Sequence, residues 1–222
     1  MGCDAEGLPR KARRHMNSET GSGMPMRELS AFWWAFALRG GVAVVFSCVL
    51  FYVSSFFGAI FLDPITVVVL GAMLGFYILG NGVLLGVAAG FAAQHRVGIW
   101  QLLLAECVFA LGLGTYIGFT LLLSSESLAW LAGLHAVGTG CFVGALAVRV
   151  RAHRTFAALL GVAGAVALGV GRMFLLHRDA ALKDVTQWLG CFELFFGIAI
   201  LIFTRGLHRN HVPVRAGGER AV

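Results

Sequence analysis

The segment Gly75-Phe76-Tyr77-Ile78-Leu79-Gly80-Asn81-Gly82 lies in an uncharged run over about 66–91, and its reading decides the fold. Its frame returns twice, as Gly133-Leu134-His135-Ala136-Val137-Gly138-Thr139-Gly140 and as Gly190-Cys191-Phe192-Glu193-Leu194-Phe195-Phe196-Gly197. Glycines seven residues apart are two helical turns apart and so share one face. In hydrocarbon, where packing rather than water exclusion joins helices, a face of small residues lets two backbones approach closely. The frame therefore reads as a packing face on three related membrane helices.

Composition agrees. Only 13% of the chain is charged and 59% is hydrophobic, with 30 glycines; a soluble domain carries about 25% charged residues. Uncharged runs near the ~20 residues that cross a ~30 Å bilayer core fall at 40–62, 66–91, 101–123, 128–148, 155–176 and 185–204. The alternating pattern of a barrel strand is absent, and hydrocarbon forbids an open sheet edge. The expected fold is an all-α integral membrane protein of six transmembrane helices, arranged as three tandem antiparallel hairpin repeats. Residues 1–29 read as a polar, disordered cytoplasmic tail, 30–208 as the transmembrane domain and 209–222 as a basic cytoplasmic tail.

Basic residues orient the bundle. The N-terminal tail (Arg10, Lys11, Arg13, Arg14, Arg27), the second and fourth links (Arg96, Arg149, Arg151, Arg154) and the C-terminal tail (Arg205, Arg209, Arg215, Arg220) carry most of them. The opposite links hold only Arg178 and Lys183, beside Asp179 and Asp184. Both termini are thus expected in the cytoplasm. The formal charge of +6 follows from this topology and from attraction to anionic lipid, so the expected partner is the bilayer and nucleic acid is not invoked. The glycine faces pack either within one chain or between copies as a homo-oligomer.

Cys48, Cys107, Cys141 and Cys191 lie within spans without Cys-x-x-Cys spacing and read as small hydrophobes. No metal-ligand spacing, phosphate-cradling glycine loop or nucleophile elbow occurs in the sequence. The reading is of a protein that is not an enzyme and needs no cofactor.

The aromatic start, the opening Leu38-Arg39-Gly40 and the frame Gly75 to Gly82 followed by Leu84-Leu85-Gly86 resemble the HdeD-like (DUF308) family over about residues 30–208. That resemblance implies a multi-pass protein of the bacterial cytoplasmic (inner) membrane, associated in some members with acid resistance and without an enzymatic reaction.

The charges inside the spans are the candidate site. Arg39 follows Trp33 at the distance by which Glu106 follows Trp100. Either Arg39 snorkels to the headgroups or it pairs with Glu106 at equal depth, with Asn81 supplying an amide: an inner-half cluster of Arg39, Asn81 and Glu106. Glu193 lies about 12 Å from the outer end of its helix at 1.5 Å per residue. So short a side chain there is protonated, paired or facing water. His135 and Arg172 fall at comparable depth and complete a candidate outer-half cluster of His135, Arg172 and Glu193. Two functions are open at this point: a non-catalytic membrane protein of acid or envelope stress tolerance, and a small transporter or proton-conducting protein using these residues. Glu193 in an open polar cavity favours the second, Glu193 sealed against Arg172 the first.

Overall fold

In a computed structural model of the chain, the described residues are 32–57, 63–95, 98–120, 124–151, 153–177 and 181–211. They form six helices and no strand: α1 (Trp33–Phe57), α2 (Asp63–Gln94), α3 (Trp100–Phe119), α4 (Ser125–Arg149), α5 (Arg154–Leu176) and α6 (Leu182–His211). All six are long and apolar enough to cross a membrane. The expected N-terminal tail and residues 212–222 lie outside the described residues.

Helix ends depart from the uncharged runs in an informative way. α1 starts at Trp33 rather than at 40, because arginine is a good helix former and a charge does not end a helix. Arg39 is therefore inside α1, not before it. α6 likewise continues through Arg205 to His211. α4 begins with a true cap: Ser124 Oγ accepts from the Ser127 amide at 3.1 Å, while Glu126 in the first turn and Arg149 in the last complement the helix dipole. Thr186 and Thr204 satisfy their hydroxyls on carbonyls of their own helix, Leu182 and Ile200.

The helices close into a ring in chain order, and the tightest pairs are not the sequential hairpins. α2 packs most extensively on α3, α4 on α5, and α6 returns to α1; contacts of α1 with α2, α3 with α4 and α5 with α6 are sparser. The glycine frames explain this. A Cβ placed on Gly140 would lie 2.9 Å from the Gly164 carbonyl oxygen and 3.0 Å from the Leu168 amide nitrogen. One on Gly197 would lie 2.8 Å from the Gly40 carbonyl and 3.1 Å from the Val44 nitrogen, and one on Gly82 3.1 Å from the Leu111 nitrogen. The second glycine of each frame thus seats the same position of a neighbouring odd helix: Val44, Leu111 and Leu168. The first glycines agree, Gly133 resting on Gly171, Gly75 on Gly114, and the Gly190 carbonyl accepting from Ser47 Oγ at 2.7 Å.

Counting from these seams puts the three sets in register, and burial follows the register. Ala43, Ala110 and Ala167 are all buried; so are Phe36, Leu103 and Leu160, and, on the even helices, Leu85, Val143 and Ile200. The same counting brings Arg39, Glu106 and Ala163 to one level. Outward faces carry large apolar side chains, with Phe76 75% and Phe119 84% exposed, a surface suited to lipid tails and not to water.

Ser47 tests the closing seam. Ser47→Ala removes its bond to Gly190 and is expected to lower resistance to SDS unfolding by about 0.6–1 kcal/mol, the usual worth of an interhelical hydrogen bond in a bilayer.

Candidate functional site

α1 and α3 each turn one charge inward at the shared level, and the two meet. Arg39 Nη2 donates to Glu106 Oε1, both side chains being buried. The guanidinium also lies over the Phe196 ring of α6, 5.3 Å from its centroid, a desolvated cation–π contact. Arg39 is buried and paired, its charge neutralised between α1 and α3. An apolar cleft lined by Phe32, Phe36, Leu84, Leu85, Ala88 and Leu103 reaches this arginine.

One level further in, the even helices α2, α4 and α6 converge. Tyr77 of α2 donates its hydroxyl to Glu193 Oε2 of α6 at 2.5 Å. His135 of α4 approaches the other carboxylate oxygen, Nε2 to Oε1, at 3.5 Å. That is charge-contact distance without hydrogen-bond geometry, and Oε1 accepts no hydrogen bond from the protein. Rings hold the group in place: Tyr77 stacks on Phe46 at 4.1 Å and 2° and meets His135 edge-on at 6.0 Å. Glu193 is 1% exposed. Asn81, one turn from Tyr77, adjoins its hydroxyl. Arg39 lies within electrostatic reach of Tyr77 and Glu193, so the two levels form one polar axis.

The structure regroups the expected clusters. Arg39 and Glu106 come together, and so do His135 and Glu193. Asn81 belongs with Tyr77 rather than with the ion pair. Arg172 is absent from the cluster: it is exposed, facing away from the α4 seam. The reason is angular. Gly171 faces α4, a Cβ there lying 2.6 Å from Val137 Cγ2, and the next residue points about 100° away at 3.6 residues per turn. Tyr77 is the residue that sequence reasoning missed, although it holds the place in its frame that His135 holds in the second. That equivalence was available as a signal.

Three side-chain atoms of the axis, Asn81 Oδ1, His135 Nδ1 and Glu193 Oε1, are buried without a hydrogen-bond partner in the protein. Buried polar atoms are nearly always paired with protein or ordered water, so three on one axis stand out. No group of three or more His, Cys, Asp or Glu suited to a metal occurs among the described residues. No family model, no curated protein and no solved structure matches this chain.

Proposed function

We propose that this is a non-catalytic bacterial inner-membrane protein of the HdeD-like type, built from three tandem hairpins with both termini cytoplasmic, which contributes to acid or envelope stress tolerance. The observation that carries the reading is the sealing of the polar axis. Glu193 is closed off by Tyr77 and His135, and Arg39 is closed against Glu106. Each of these contacts joins different hairpins, so intramembrane charge serves assembly. The resemblance over residues 30–208 supplies the link to stress. Its test is survival: a strain lacking the protein is expected to survive an acid challenge less well than its parent and to be restored by the intact gene. Equal survival of the two strains removes the reading.

A second reading, a small transporter or proton-conducting protein, is favoured by the unpartnered atoms on His135 and Glu193. Proteoliposomes loaded with a pH-sensitive dye separate the two. The first reading expects no proton flux above empty liposomes; flux lost in Glu193→Gln would establish the second.

A further inference from the structure

We infer that Tyr77, His135 and Glu193 form one proton-binding centre, in which Glu193 takes up a single proton from the aqueous phase on Oε1 and keeps it there as a carboxylic acid beside His135 Nε2. The inference holds whether or not protons cross the bundle, and it stands on charge and geometry.

The charged and titratable groups on the axis come from all the helices that face Glu193. α1 supplies Arg39, α3 Glu106 through its pair with Arg39, α2 Tyr77 and α4 His135; the arginine of α5, Arg172, points outward. With neutral histidine these side chains carry one net negative charge. An uncompensated charge in a low-dielectric core is the arrangement that proteins avoid. One proton removes it.

Geometry says where that proton goes. Oε2 already accepts from Tyr77, whereas Oε1 accepts no hydrogen bond from the protein and lies 3.5 Å from Nε2. A new O–H bond on Oε1 places the proton on the side of the carboxyl that faces the imidazole, no other covalent bond changes, and on release the same proton returns to water. The Tyr77 hydroxyl keeps its own proton and holds the carboxyl in one orientation.

The binding of a proton here changes the contact that joins α2, α4 and α6, one helix from each hairpin. The centre is therefore placed to report external acidity on the assembly of the bundle.

Acid-minus-neutral infrared difference spectra of the full-length protein in lipid nanodiscs read it directly, taken between about pH 8 and about pH 4, which brackets ordinary histidine and glutamate titration. The expected result is a carboxylic-acid C=O band that is missing from Glu193→Gln. In Tyr77→Phe, which keeps the stack on Phe46 and loses only the donor to Oε2, the band is displaced. A carboxylic-acid region unchanged in Glu193→Gln overturns the inference, as does a spectrum in which that substitution removes imidazolium modes and no carboxyl band. Should Glu193→Gln fail to fold, Tyr77→Phe decides alone: a spectrum identical to that of the wild type overturns the inference. Acid survival plays no part in this readout, so its failure and that of the functional reading are distinguishable.

Discussion

Gly197→Leu is expected to lower the resistance of the bundle to SDS unfolding by about 3 kcal/mol, the upper end of ordinary overpacking. The magnitude follows from what the new side chain meets. Its Cβ would lie 2.8 Å from the Gly40 carbonyl oxygen and 3.1 Å from the Val44 nitrogen, both main-chain atoms. A side chain can rotate away; a helix backbone moves only as a whole. α6 would have to leave α1 and open the ring at its closing seam. Gly140→Leu, pressing on the Gly164 carbonyl at 2.9 Å, is expected to act alike at the α4 and α5 seam. Gly169→Leu is the control, since nothing lies within 4 Å of a Cβ there. Leucine is the better helix former, so that variant should match or exceed the wild type. Equal losses at Gly197 and Gly169 would show that the frame does not mark the seams.

Glu106→Ala carries the second large effect. It strips Arg39 of its carboxylate and leaves a guanidinium enclosed between α1, α3 and the Phe196 ring. Breaking a buried pair by deleting one partner is worth about 3–5 kcal/mol, and unfolding of the purified protein in mixed micelles should show a loss of that size. Replacing both residues by leucine is expected to recover stability to within about 1 kcal/mol of the wild type or above it, because two apolar side chains need no compensation in hydrocarbon. Recovery in the double variant separates a true pair from two independently required residues. A double variant as weak as Glu106→Ala would mean that Arg39 and Glu106 do something besides neutralise one another.

Much of this architecture is written in residues that can be read without coordinates. Six apolar helices follow from run length, and the glycine frames mark the faces on which backbones meet. The equal spacing of Arg39 and Glu106 from Trp33 and Trp100 places them at one depth, where the structure brings them together. What the chain does not display is direction around each helix. The repeat suggests that the two helices of each hairpin are the closest partners, yet the glycine faces turn α2 toward α3, α4 toward α5 and α6 toward α1. Arg172 shows the same gap on a smaller scale, since depth alone puts it beside Glu193 and its helical angle sends it outward. Tyr77 looks like one more aromatic residue until the repeats are superposed and it falls in line with His135.

The closing contact between the first and last helices is the claim on which the ring and its polar axis depend, and one cross-linking measurement addresses it. The Trp33 and His208 rings meet at the ends of α1 and α6, tilted by 54° with centroids 4.6 Å apart. In a cysteine-free background, Trp33→Cys with His208→Cys is expected to give a short-range cross-link within a single chain, in membranes and without unfolding. A link found only between chains, or no link at all, would contradict the closed ring.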